Sequence, residues 1–210
     1  MDQTTRFSRA AVAWAAGGAD AEAAAAAAQE LAATADLRTV VLVEGVSDLA
    51  AVQALAARQN RNLDDEAIAV VPLGGATSIT RFLNLFGPQG LDIALAGLCD
   101  AGEERYFRRA LTEAGVEPQG FYVCDADLED ELIRALGAPA VEQVITEQGE
   151  LRQLRTFQKQ PAQRDRTPEQ QLRRFMGTHS GRKAQYAHAL VDALSLTHVP
   201  RPLQSLLAYV

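Results

Sequence analysis

The chain of 210 residues carries 27 acids against 20 Lys and Arg, a formal charge of -7, with 48% hydrophobic and 22% charged residues. That is enough for one domain with a sizeable core, and the acidic balance argues against a general nucleic-acid coating protein, which needs many cations on one surface. The Ala-rich opening is interrupted by acids and short of large side chains, and the first residues lack the blocks of a secretion signal, so a cytoplasmic protein without a membrane partner is expected.

Residues 10–16 and 19–33 are rich in the best helix former and are separated by Gly17 and Gly18, which predicts one or two amphipathic helices, packed on the core or partly frayed at the start. Val40, Val41, Leu42 and Val43 then form a run with three β-branched side chains, the pattern of a strand covered on both faces. Glu44 and Gly45 follow it, with glycine expected to make the turn and Ser47 or Asp48 expected to cap a helix near 48–58. A second strand is expected at 67–73, ended by Gly74 and Gly75, and then a helix capped by Thr77 or Ser78 and stopped at Gly87 and Pro88.

A third strand over 93–99 meets Asp100, with Gly102 behind it. Residues 103–114 have helical spacing, with Tyr106, Phe107, Ala110 and Leu111 as the buried stripe. The fourth strand, 120–124, leads into an acidic stretch that includes Asp125, Asp127 and Glu129. Cys99 and Cys124 end two apolar runs and read as buried reduced thiols. The remainder is expected to be helical, broken at 137–139, Pro161, Pro168, Gly177, Gly181 and Pro200. Strand and helix in alternation with short connections predict an α/β fold with a parallel sheet flanked by helices. The division expected is an N-terminal helical segment over 1–37, a core over 38–136 and a helical C-terminal extension over 137–210 packed on that core.

Three of the four strands end in acids: Glu44 with Asp48, Asp100 with Glu103 and Glu104, and Asp125 or Asp127 with Glu129. In a parallel sheet these ends share one edge, where ligands bind. Gathered carboxylates repel and call for a cation. Hard oxygen donors suit Mg²⁺ or Mn²⁺, and two ions about 4 Å apart can activate water and steady the leaving oxygen in phosphodiester cleavage. Over 152–183 nine basic residues face two acids, which makes Arg173, Arg174, Arg182 and Lys183 candidates for a phosphate-facing surface. Lysine occurs only twice, as Lys159 and Lys183. His179 and Ser180 precede Lys183 and are read as cap or solvent residues within reach of phosphate.

The hydrophobic run with Glu44, Gly45 and Asp48, the segment 73–75, the strand ending in Asp100 and the acids at 127–131 together resemble a Toprim domain, the fold of topoisomerases, primases and certain nucleases. More narrowly, Asp127-Leu128-Glu129 and Gly181-Arg182-Lys183 resemble the nuclease half of the OLD (overcoming lysogenization defect) family over roughly residues 38–190. The resemblance implies that Glu44, Asp48 and Asp100 hold one metal ion and that Asp127 and Glu129 complete a second position. It also implies that Lys183 steadies charge on the scissile phosphate. Toprim proteins commonly carry Asp-x-Asp at the third strand, whereas Gly102 stands at the second acid position, and Glu103 or Glu104 is the nearest compensation. OLD proteins join this module to an ATPase, and no Gly-x-x-x-x-Gly-Lys-Ser/Thr loop occurs here. The expectation is a free-standing module that acts alone or borrows an ATPase partner in trans.

The implied activity is a metal-dependent endonuclease acting on nucleic acid, DNA in preference to RNA. A structured-RNA nuclease of the ribosomal-RNA maturase kind is disfavoured, because Val46 stands where its lysine would follow the Glu-Gly pair. A catalytically weak binding or regulatory module remains open, supported by Gly102 and the negative charge. A phospho-acceptor or phosphatase domain needs an Asp nucleophile where Glu44 stands.

Overall fold

The computed structural model describes residues 2–178 and 181–210; His179 and Ser180, with the roles weighed for them above, lie outside the described residues. Two helices come first, α1 (Gln3–Ala16) and α2 (Ala21–Thr34). The first runs to Gln3 rather than fraying, because Asp2 caps it by accepting the Thr5 N–H at 2.7 Å. The Thr4 N–H donates to Asp64 and ties the helix to the loop before the second strand.

The sheet is built from β1 (Thr39–Val43), β2 (Ile68–Pro72), β3 (Ala94–Asp100) and β4 (Phe121–Cys124), all parallel, in the order β2-β1-β3-β4. Helix α3 (Val46–Arg58) joins β1 to β2, α4 (Ile79–Phe86) follows a 3-10 turn at Ala76–Ser78 and joins β2 to β3, and α5 (Glu104–Ala114) joins β3 to β4. The chain therefore winds outward from β1 to β2 and then returns past β1 to β3. A crevice opens between the carboxyl ends of two strands whose connections leave in opposite directions, here β1 and β3.

Period-two alternation sends neighbouring residues to opposite cores. Val40, Leu42, Val71, Leu95 and Cys99 face α1, α2, α4 and α5, whereas Val41, Val43, Ala96, Leu98 and Cys124 face α3 and the helices that follow β4. Those are α6 (Leu128–Leu136), α7 (Ala138–Glu147), α8 (Leu151–Gln158), α9 (Pro168–Met176), α10 (Arg182–Ala193) and α11 (Arg201–Tyr209). The breaks expected from glycine and proline fall at their boundaries. Arg58, in the last turn of α3, donates to the carbonyls of Val191 and Leu194 at 2.6 Å each, so the far ends of α3 and α10 are held together. Arg61 does the same for α11 through the carbonyls of Leu207 and Val210. Among the described residues no helix is long and apolar enough to cross a membrane.

Several local expectations change. Gly45 has extended backbone open to other residues, and the N-cap of α3 is Gly45 itself. Neither Ser47 nor Asp48 caps from in front; Asp48 lies in the first turn and its Oδ2 accepts the Gly45 N–H at 2.9 Å. Ser78 makes no side-chain cap on α4. Tyr106 is half-exposed, because the buried stripe of α5 is Phe107, Ala110, Leu111 and Ala114 and position 106 is turned about 100° from it. Cys99 and Cys124 are buried free thiols as expected, and burial pushes the Cys99 thiol up to about 12.

Gly97 sets the fit between β3 and its neighbours. A Cβ there would stand 2.7 Å from the Phe121 ring and 2.8 Å from the Leu42 carbonyl oxygen. Gly97→Ala is expected to cost about 1–3 kcal/mol through overpacking, read as a fall in Tm of about 2–4 °C per kcal/mol in thermal denaturation. An unchanged Tm would show that the sheet yields there freely.

Candidate metal centre at the carboxyl edge of the sheet

Glu44 leaves the end of β1 at the switch point, and its carboxylate Oε1 accepts the backbone N–H of Asp100 at 2.8 Å. Its carbonyl accepts the Gly75 N–H, which fixes the β2 turn beside it. Burial raises the proton affinity of Glu44 against the pull of the Asp100 N–H, and the charges of Glu103, Asp127 and Glu129 add to the rise. Asp48, from the first turn of α3, is pushed up to about 7, first by burial and then by Glu129 and Glu44, with Lys183 opposing. Asp100 ends β3 and is pushed up to about 8 by burial and by Glu44, Asp48, Asp127 and Glu129. Three separate elements thus bring Glu44, Asp48 and Asp100 into one electrostatic neighbourhood.

The second pair of acids stands on α6. Asp127 is its N-cap, with Oδ1 accepting the Asp130 N–H at 2.8 Å and Oδ2 accepting from Nε of Arg173 at 2.7 Å. Glu129 is only 4% exposed. Lys183 Nζ stands 3.4 Å from its Oε1, close enough for an ion pair but not aligned as a hydrogen bond, so that oxygen is buried without a hydrogen-bond partner. Asp125 belongs elsewhere: it is exposed and pairs with Arg134.

The two residues expected to compensate for Gly102 divide cleanly. Glu104 pairs with Arg108 one turn along α5, while the charge of Glu103 acts on Glu44. A Cβ at Gly102 would meet nothing within 4 Å, so the second acid of the usual third-strand pair is replaced by open space.

The basic residues divide as well. Arg174 is exposed and Lys183 half-exposed beside Glu129. Arg173 is already engaged with Asp127. Arg182 is set inside the helical layer, 10% exposed, bonded to Glu150 at 2.9 Å and stacked over the Phe175 ring at 4.6 Å. A groove of about 710 Å³ between α8, α9 and the start of α10 is lined by Arg152, Phe157, Phe175 and Arg182, apart from the carboxylates. The pairing of Arg173 with Asp127 was hidden from the sequence, since it spans 46 positions and leaves no local pattern.

The donor set suits a hard divalent cation chemically: carboxylate oxygens only, in one electrostatic neighbourhood, with one buried oxygen lacking a hydrogen-bond partner. Among the described residues no three acid, His or Cys side chains stand close enough to hold one ion. Each carboxylate is instead drawn to its own internal donor: Glu44 to the Asp100 N–H, Asp48 to the Gly45 N–H and Asp127 to Arg173.

Residues 37–101 match the model of the Overcoming lysogenization defect protein-like TOPRIM domain. That segment holds Glu44, Asp48 and Asp100 and stops before Asp127. The chain is similar to the C-terminal region of the Xanthomonas campestris pv. campestris OLD protein, at 30% identity over 82% of this chain and 93% of that one, with a TM-score of 0.62. It also shares its fold with the C-terminal region of the Burkholderia pseudomallei OLD protein, at 22% identity over 82% of this chain and 96% of that one, with a TM-score of 0.64. No curated protein matches the chain.

Proposed function

Because the chain belongs to the OLD-like TOPRIM family, we propose that it is a metal-dependent endonuclease that cleaves nucleic-acid phosphodiesters, DNA in preference to RNA. The observation that carries this reading is the meeting of Glu44 and Asp100 at the β1–β3 switch point, where Glu44 Oε1 accepts the Asp100 N–H and where burial, with the surrounding carboxylates, raises the proton affinity of Glu44, Asp48 and Asp100. A fold that keeps three acids in conflict there has a use for a cation.

Glu44, Asp48 and Asp100, drawn closer by the ion than they stand without it, would hold a first Mg²⁺ or Mn²⁺, and Asp127 and Glu129, with Glu103 on the Glu44 side, would hold a second. Such ions, when bound, supply Lewis acidity and an activated water for in-line displacement. The protein's own contribution is orientation and charge. The Asp100 N–H holds Oε1 of Glu44 and the Gly45 N–H holds Oδ2 of Asp48, which leaves the second oxygen of each carboxylate to an ion. The half-exposed ammonium of Lys183 meets a phosphate entering beside Glu129 and offsets its charge. Arg174, exposed on α9, adds a contact to the nucleic-acid backbone.

Supercoiled plasmid with millimolar Mg²⁺ or Mn²⁺ is expected to be nicked, and nicking is expected to vanish with a chelator or with Glu44→Ala. Cleavage indifferent to that substitution would remove Glu44 from the site, and structured RNA cleaved faster than plasmid would reverse the substrate preference. Gly102 and the hold of Arg173 on Asp127 favour a second reading, a binding module with a weak metal site. Retention of DNA without nicking at any Mn²⁺ concentration would select it.

A further inference from the structure

The two carboxylates on α6 are met by cations from α9 and α10, and the two contacts differ in kind. Asp127 has one oxygen committed to its own helix, the Oδ1 bond to the Asp130 N–H. On the other, Oδ2, both Nε and Nη2 of Arg173 converge, at 2.7 and 2.5 Å. Glu129 is buried, and its Oε1 faces the Lys183 ammonium without a hydrogen bond. One acid is stoppered and the other keeps an oxygen waiting for a ligand.

We infer that Arg173 is an exchangeable stopper, which occupies Asp127 Oδ2 until a divalent cation displaces it, so that α9 governs loading of the position formed by Asp127 and Glu129. The inference rests on the reading of these two acids as ion ligands. A cation on Oδ2 and a guanidinium on the same oxygen repel, so the two compete. The partner that moves is Arg173, whose side chain is 42% exposed, whereas Asp127 is fastened at the start of α6. The head group turns out toward solvent, where its planar fork suits a phosphate oxygen. Oε1 of Glu129, ion-paired with Lys183 but without a hydrogen bond, supplies the second donor that makes the exchange favourable.

Calorimetric titration of the full chain with Mn²⁺, with bound ions counted by electron paramagnetic resonance, tests this without any cleavage assay. Arg173→Gln is expected to bind the weaker ion about tenfold tighter than the native protein, the scale of freeing one partly exposed ion pair. Arg173→Lys, a point charge without the fork, is expected to fall between them. Equal affinities in all three, or weaker binding in Arg173→Gln, would overturn the stopper while leaving the metal-dependent reading intact. No ion bound by any of the three would overturn both. If Arg173→Gln does not fold, as judged by circular dichroism, Arg173→Lys decides alone: tighter binding than native supports the stopper, and equal or weaker binding overturns it.

Discussion

Asp100→Asn is expected to stabilise the protein in the absence of divalent ions and to abolish cleavage in their presence. The carboxyl is pushed up to about 8 by burial and by its acidic neighbours, whereas in the unfolded chain it titrates near 4. Between those values the folded state holds a proton that the unfolded state has released. Stability from this group is therefore complete below about pH 4 and is lost as pH rises through about 8. Glu44 and Asp48 are raised too, so the cluster shares its protons and the loss is spread over the neutral range. Asparagine imitates the protonated form at every pH.

In chelator the variant is expected to exceed the native protein by about 1–3 kcal/mol at pH 8.5, with the gap closing as pH falls. Urea denaturation at several pH values would measure it. With Mn²⁺ the order is expected to reverse, because only the native protein gains from the bound ion. Cleavage is expected to fall by about a thousandfold or more, since a neutral amide is a poor ligand and leaves the ion's charge unanswered. A variant less stable than native at pH 8.5 in chelator would show that burial and the neighbouring acids do not disfavour the Asp100 carboxylate.

Lys183→Met carries the second large expectation, a fall in cleavage rate of about 10²–10³-fold with ion binding preserved. The ammonium stands beside Glu129 and opposes protonation of Asp48, so it already acts on both halves of the acid cluster. A phosphate gaining charge in the transition state would meet this cation at the mouth of the site. Methionine keeps the length and bulk and removes only the charge. The change should appear in kcat rather than in KM, with Lys183→Arg recovering part of the rate. A surface lysine with no part in the chemistry would leave both constants unchanged.

The strands and their order of appearance were legible because each is a short apolar run closed by glycine or acid, a local signal that survives tertiary packing. The placement of Glu44 and Asp100 at the carboxyl edge of the sheet was legible for the same reason, since β1 and β3 both end where their acids begin. Glu103 and Glu104 look alike in sequence until the Arg four positions after Glu104 is noticed, and that spacing decides between them. Asp48 is a different case: its type suggested a cap reaching forward, whereas its place in the first turn makes it reach back to Gly45. In the basic segment two of the four candidate cations are taken up by acids. Arg182 meets Glu150 and Arg173 meets Asp127 across 32 and 46 positions, pairings that no periodicity announces.

The anchorage of Arg58 to the end of α10 matters most at the opposite end of both helices. Asp48 opens α3 and Lys183 opens α10, so the two run side by side in the same direction, tied at the far end through the carbonyls of Val191 and Leu194. About 15 Å of helix separates Asp48 from that tie. The pair works as a vernier in which the tie sets the axial offset of ammonium against carboxylate. A slip of one residue would move Lys183 by about 1.5 Å, on the scale at which misplaced catalytic groups lose about a hundredfold in rate.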